Sequence, residues 1–276
     1  MQNSNKYAFF TLDLESFYDT SCIRKKNPKI DINGHCYDGV INFLSILDKH
    51  NIKSTIFTVE SSLNDNKELL KKAINDGHYV SIHGYIHDSI LGIDNQEFES
   101  KIKESINHFK KELDITPLGF RAPIFKIDND KFNIIKKYFK YDSSALYSFN
   151  KLHELKSYKK LNDNIYTNNT FYEIPPTYYK GKNIGGGAYM RLTPWFIMKW
   201  KIKNYLKNHN SYVFYIHPFE LSNLRPKIKI LNPLDWLFMN IKFKSYPKKI
   251  EWLINYLKNN GFKFITIEDY IKKATA

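Results

Sequence analysis

The chain has 276 residues and a formal net charge of +14, with 42 Lys and Arg against 28 Asp and Glu. That length allows a sizeable core, and no Pro-, Gly- or Ser-rich tract, repeat or block of like charge marks a linker, so one domain over residues 1–276 is expected. The cations are mostly lysines spread through the helical segments, without an arginine-rich cluster or a nucleic-acid motif, which argues against a nucleic-acid partner.

Two cysteines, Cys22 and Cys36, exclude a disulfide framework and allow a single bridge. Met1 to Lys6 is polar with no apolar signal core, and no run reaches the length of a membrane span, so a soluble cytoplasmic protein is expected.

Tyr7 to Leu12 reads as a nearly all-apolar strand, the kind buried on both faces of a parallel sheet. It ends in Asp13-Leu14-Glu15. Carboxylates two apart on an extended chain point to the same side, as a shared ion or a base-plus-ligand pair requires. Asp38 reads as the cap of a helix with Val40, Phe43, Leu44 and Leu47 inward. Ser54 to Val59 is the next strand, followed by a helix burying Leu69, Leu70, Ala73 and Ile74 and stopped at Gly77.

The third strand, Tyr79 to Ile82, delivers His83 and His87. Imidazole nitrogen suits zinc and similar divalent ions, and a pair spaced four apart closes on one ion if the backbone after His83 turns helically. Gly84 stands where the helical metalloprotease signature needs a glutamate, so any base must come from elsewhere. Phe98, Ile102, Ile106, Phe109 and Leu113 then form an amphipathic helix, broken by Pro117 before Arg121-Ala122-Pro123.

A helix around Phe132, Ile135 and Tyr138 precedes Tyr141-Asp142-Ser143-Ser144. Phe171 to Pro176 is a further strand end, carrying Glu173. Gly185-Gly186-Gly187 is expected to be a loop, and it lacks the spacing of a phosphate-cradling motif. Thr193-Pro194 opens a helix through Trp200. Tyr212 to Ile216 is a buried strand terminated by His217-Pro218-Phe219-Glu220. The last units are a helix capped near Ser245, with Ile250, Leu253, Ile254 and Leu257 inward and Gly261 as its stop, and a strand from Phe264 to Ile267. His35, His50, His78, His108, His153 and His209 belong to no motif.

Strand alternates with helix about seven or eight times, the pattern of an α/β fold whose parallel sheet closes into a barrel. Chemistry in such barrels gathers at the carboxyl ends of the strands. Asp13, Glu15, His83, His87, Arg121, Asp142 and His217 all fall at or just past a strand end.

In this order these residues resemble the polysaccharide deacetylase family, carbohydrate esterase family 4, whose fold is a distorted (β/α)7-8 barrel. Its motifs correspond to Thr11-Leu12-Asp13-Leu14-Glu15, to Ser81 through His87, to Arg121-Ala122-Pro123, to Tyr141-Asp142-Ser143-Ser144 and to His217. The Asp-x-Glu form, the glycine run with Arg191, and His217-Pro218-Phe219-Glu220 look most like a branch associated with exopolysaccharide and surface-glycan gene sets.

The resemblance implies a divalent metal, zinc by default with cobalt, nickel or iron as substitutes, held by one carboxylate and the histidines His83 and His87. It implies Asp13 as base, Arg121 as its orienting partner, the backbone N–H of Ile124 as an oxyanion donor, and His217 as the acid protonating the leaving amine. Leu14 stands where the family has a second aspartate, so either Glu15 supplies the ligand or the ion has only histidines; the reading adopted is Glu15. The fourth motif lacks the residues that usually support the acid histidine, and Asp142 or Glu173 is expected to substitute.

The implied activity is hydrolysis of an amide-linked acyl group, acetyl above all, from an N-acylated sugar of a bacterial surface glycan or its lipid-linked precursor. Two alternatives stand beside it, an inactive glycan-binding member of the fold and an amidohydrolase acting on a non-sugar amide. The segment from Leu224 to Lys244, with Trp236 and Phe238 among basic residues, either covers the barrel or contacts an anionic membrane peripherally.

Overall fold

Apolar strands and amphipathic helices assemble into a curled ten-stranded sheet in a computed structural model that describes residues 5–20, 23, 35–146, 152–224 and 233–275. Strand β1 (Lys6–Leu14) is followed by helix α1 (Tyr37–Lys49), β2 (Thr55–Thr58), α2 (Lys67–Asn75), β3 (Tyr79–Ile82), α3 (Asn95–Leu113), β4 (Gly119–Phe120), α4 (Asn129–Tyr138) and β5 (Tyr141–Asp142). These strands pair in parallel in chain order, as right-handed strand–helix–strand units require. An antiparallel hairpin of β6 (Lys159–Asn162) and β7 (Ile165–Thr167) joins the sheet through β8 (Tyr172–Glu173), which is parallel to β5.

The short hairpin of β9 (Tyr178–Tyr179) and β10 (Lys182–Asn183) leads to α5 (Gly187–Leu192), α6 (Trp195–Leu206) and β11 (Ser211–Ile216). β11 lies parallel to β1 on the side away from β2. The chain continues through α7 (Pro233–Asn240), α8 (Tyr246–Asn259), β12 (Phe262–Phe264), which pairs with the start of β1, and α9 (Ile267–Thr275).

Alternation along β1 sorts its side chains between two cores. Ala8, Phe10, Leu12 and Leu14 pack into the layer between sheet and helices, whereas Phe9 joins Phe57, Tyr141, Ile165, Val213 and Ile267 in a second cluster. Asp13 shares the parity of Phe9, and Leu14 that of the helix-facing core, so the leucine between the two carboxylates is a packing residue.

No ladder joins β8 to β11. Backbone bonds from Thr177 N to Val213 O (3.0 Å) and from Tyr215 N to Gly185 O (2.8 Å) span that seam instead. The approach is too close for a side chain: a Cβ on Gly186, whose φ is 129°, would lie 2.0 Å from Tyr215 O. This accounts for the glycine run, although its last member, Gly187, already opens α5 rather than extending the loop.

Three local expectations are corrected. Asp38 lies inside the first turn of α1 instead of capping it, and its carboxylate accepts bonds from Ser222 Oγ (2.6 Å) and Asn223 N (2.7 Å), tying α1 to the chain beyond β11. The last strand ends at Phe264, and Ile267 begins α9, because Ile267 and Ile271 turn into the second cluster and Thr266 Oγ1 caps the helix by accepting Asp269 N at 3.1 Å. The β6–β7 hairpin is absent from the alternation read off the sequence. Cys22 lies outside the described residues, and Cys36 is buried.

Candidate metal centre and hydrolytic site

Glu15 follows directly on β1, turned back so that its N–H donates to Asp13 O at 3.0 Å. His83 extends the β3 pairing by donating its backbone N–H to Thr58 O at 2.8 Å. The chain does not then turn helically, the condition that the spacing alone would set. Gly84 takes φ 79°, and a Cβ there would meet Pro123 Cγ at 2.7 Å, so the loop carrying the two histidines is seated against the Arg121-Ala122-Pro123 turn. The rings of His83 and His87 still converge, with centroids 5.4 Å apart.

Backbone carbonyls fix both tautomers. His83 Nδ1 donates to Arg121 O at 2.9 Å and His87 Nδ1 to Asp19 O at 3.1 Å; a carbonyl only accepts, so the ring proton sits on Nδ1 and each Nε2 keeps its lone pair. Those Nε2 atoms face Glu15 Oε1 at 3.4 and 3.0 Å, and His217 Nε2 stands 3.4 Å from the same oxygen. A carboxylate oxygen surrounded by lone pairs in a buried site needs a proton or a cation between them. The donor atoms of Glu15, His83 and His87 lie within 4.8 Å of one another, so these residues fit a divalent ion. With protons rather than an ion on the facing rings, burial would raise the pKa of Glu15, but the positive charge of His87 and His217 outweighs it and holds the carboxyl well below its ordinary value.

Beside this group, Asp13 and Arg121 form a buried pair. Arg121 Nη1 donates to Asp13 Oδ1 at 2.5 Å and to Thr11 Oγ1 at 2.9 Å, Nη2 donates to Ser143 Oγ at 2.7 Å, and the guanidinium lies 3.9 Å over the Phe57 ring. The second oxygen, Asp13 Oδ2, is buried with no hydrogen-bond partner among the described residues. Asp13 also groups with Glu15 and His217 within 4.8 Å. One oxygen is therefore clamped while the other remains able to accept a proton.

His217 closes β11 on the opposite side of the site. Its Nδ1 lies 3.1 Å from Glu220 Oε2, and Glu220 Oε1 accepts from Arg191 Nε at 3.2 Å, both of the latter residues having no exposed surface. Arg191 stacks 4.1 Å from the Phe243 ring and donates Nη1 to Ile241 O at 2.8 Å. Phe219 stacks on the His217 ring at 5.3 Å, and Tyr215 meets it edge-on at 5.5 Å. Burial lowers the His217 pKa, but the carboxylates of Glu15 and Glu220 outweigh it and push the value up to about 9.

The expectation that Asp142 or Glu173 supports His217 is therefore corrected in favour of Glu220. Asp142 accepts from Ser144 Oγ (2.6 Å) and Ser144 N (3.1 Å), Glu173 Oε1 accepts from Ala145 N (3.0 Å), and Ser144 Oγ in turn accepts Ala122 N at 2.6 Å. These two acids brace the Arg121-Ala122 backbone. Burial raises both, and a proton on Glu173, donated to Asp142, also accounts for Glu173 Oε2, which has no donor to accept from among the described residues. Ile124 sits in a strained turn at the site's edge, with φ 52° at Ile124 and 54° at Phe125.

Residues 35–140 match the model of the family described as polysaccharide deacetylase, and residues 144–272 match a domain of unknown function, DUF3473. Residues 35–140 thus carry the polysaccharide deacetylase match. A peptidoglycan deacetylase-like protein of Gibberella zeae is 31% identical to this chain over 109 residues, covering 38% of the chain and 32% of the relative. A peptidoglycan deacetylase of Helicobacter pylori is 26% identical over 111 residues, covering 40% and 38%. The chain thus spans about a third of the length of these curated relatives. Among solved structures, a Mycobacterium smegmatis protein assigned as a polysaccharide deacetylase superposes with a TM-score of 0.69 at 16% identity, over 99% of this chain and 92% of that one, which shows the same barrel fold.

The structure brings Asp13, Glu15, His83, His87, Arg121 and His217 into one site. Sequence reasoning assigned no part to Glu220 or to the wall formed by Tyr215 and Phe125, whose rings meet at 5.0 Å. The signal for Glu220 was present: an acid three residues after a strand-terminal histidine can return to both its ring and its N–H, as Glu220 Oε2 does at 3.1 and 3.3 Å.

Proposed function

We propose that this protein is a metal-dependent hydrolase that removes the acetyl group from an N-acetylated sugar of a bacterial surface glycan or its lipid-linked precursor. The observation that carries the reading is the placement of an ion-fitting triad, Glu15, His83 and His87, between a carboxylate with one open oxygen, Asp13, and an imidazole braced by an acid, His217. Zinc suits these nitrogen and oxygen donors, with cobalt, nickel or iron able to replace it. When bound, the ion supplies a Lewis acid that polarises the amide carbonyl and acidifies water.

Asp13 takes the proton of the attacking water, and Arg121 holds the carboxylate in place through Nη1. The Ile124 N–H donates to the oxyanion of the tetrahedral intermediate. His217, protonated and held at Nδ1 by Glu220, gives its Nε2 proton to the departing amine, which otherwise leaves too poorly for the bond to break. Residues 1–276 act as one catalytic unit in this reading. What supports that is the site itself, since His83 and Arg121 come from the first matched segment and His217 from the second.

Acetate release from N-acetylglucosamine oligosaccharides, measured together with bound metal, tests the proposal. Stoichiometric metal with acetate release is expected. Metal with no release from any sugar but hydrolysis of simple amides would redirect the substrate class, and protein that binds no ion would overturn the reading.

A further inference from the structure

The three most exposed large apolar side chains among the described residues are Leu234, Phe196 and Trp200, at 78%, 74% and 60%. Two of them share one stripe of α6. Phe196, Trp200, Lys203 and Lys207 step by four, three and four residues along its exposed face and just beyond its end, while Met198, Ile202, Tyr205 and Leu206 are buried on the other. Such a helix offers solvent two aromatic rings at one end and two ammonium groups at the other.

The charge around this stripe has one sign. Between Glu173 and Glu220 the sequence contains no Asp or Glu, yet it carries seven cations: Lys180, Lys182, Arg191, Lys199, Lys201, Lys203 and Lys207. Arg191 is buried on Glu220. Among the described residues no carboxylate pairs with Lys199, Lys201, Lys203 or Lys207; Lys199 and Lys203 lie instead over the rings of Trp252 (5.2 Å) and Tyr256 (5.7 Å). The chain just past α7 is tied to the end of α5, shortly before α6 begins, by Arg191 Nη1 to Ile241 O and Lys242 Nζ to Leu192 O, both 2.8 Å.

We propose that this α6 face, rather than the Leu224–Lys244 segment as a whole, docks on an anionic phospholipid surface, with Phe196 and Trp200 in the headgroup region and Lys203 and Lys207 on lipid phosphates. A cationic helix face on a stretch of chain without acids selects an anionic partner and repels a second copy of itself. Exposed rings on a convex helix suit a bilayer interface. No described helix is long and apolar enough to cross a membrane, so the contact is peripheral. Since Arg191 touches Glu220, the Phe196 end of this face, five residues after Arg191, is the one nearer His217.

Co-sedimentation of the full chain with vesicles tests this without requiring turnover, so it stands or falls separately from the proposed function. Wild type is expected to bind vesicles of phosphatidylglycerol in phosphatidylcholine, to be released by salt, and to ignore phosphatidylcholine alone. Phe196→Ser with Trp200→Ser, and separately Lys203→Glu with Lys207→Glu, should each lower the partition constant about tenfold, while Ile41→Ser, on the exposed side of α1, leaves it unchanged. Unchanged thermal melting confirms that the variants are folded. No binding by wild type, equal binding to both vesicles, or full binding by the ring variant overturns the proposal. Loss of a self-associated state by light scattering, or of single-stranded RNA binding, in the ring variant would reassign the face and overturn it as well.

Discussion

Glu15 and Glu268 are both buried carboxylates of the same barrel, at opposite ends of its strands, and their neighbours differ in one respect. Glu268, delivered by α9, accepts from the hydroxyls of Thr55 (2.5 Å), Tyr141 (2.5 Å) and Ser81 (3.2 Å), groups that bring their own protons. Glu15 faces imidazoles whose Nδ1 protons are committed to backbone carbonyls at His83 and His87. Burial raises Glu268 above the ordinary carboxylate range, whereas the imidazoles hold Glu15 below it despite burial. Burial of an acid does not by itself mark a site. What distinguishes the Glu15 shell is that its neutral imidazoles lack the protons to satisfy it, so it fits a cation and the Glu268 shell does not.

The contrast should break most completely at the imidazoles. His83→Ala or His87→Ala is expected to leave less than about a tenth of the wild-type metal content and to abolish acetate release, while Glu268→Gln keeps its metal. Elemental analysis after gel filtration reads both, and a histidine variant that retains full metal would remove the centre from these residues. Next in size, Asp13→Asn should keep the ion but lower kcat by about 10²–10⁴-fold, whereas Glu15→Gln loses the ion. Metal lost with Asp13 and retained without Glu15 would exchange their roles.

A smaller loss is expected for Glu220→Gln, about ten- to a hundredfold in kcat on the N-acetyl sugar with KM little changed. Hydrolysis of an activated aryl acetate should be largely spared, because a phenolate leaves without the proton that His217 supplies. An equal loss on both substrates would reduce Glu220 to a residue that shapes the loop. The smallest effect belongs to Glu268 and concerns stability alone. Its folded-state pKa is raised, so the stability it contributes is fully present below the unfolded pKa and is lost as pH rises toward the folded one. Glu268→Gln cannot ionise and should gain on wild type in urea midpoint from acid to neutral pH; a gap constant over that range would mean that Glu268 titrates alike in both states.

Much of this site was legible because strand geometry is local. Two-residue alternation put Asp13 and Glu15 on one side before any tertiary contact was known, and the β-branched run into His83 placed the histidines at a strand exit. The helical turn that the spacing of His83 and His87 would need is replaced by a contact that no spacing encodes, the seating of Gly84 against Pro123. Asp142 and Glu173 differ for a similar reason. Both stand at strand ends like the residues that converge with Glu15, but their carboxyls turn to Ser144 and Ala145.

The sequence by itself determined the alternating parallel architecture, the end of the barrel at which the polar side chains gather, and the identity of the residues that fit an ion, since each follows from periodicity and residue chemistry along a few consecutive positions. Only the tertiary structure decided that Glu220 with Arg191 braces His217, that a glycine run spans the seam between β8 and β11, and that α9 plugs the far end with Glu268. Those outcomes depend on which of several buried acids, and which stretch of backbone, packing brings within bonding distance across scores of residues, and no local pattern carries that information.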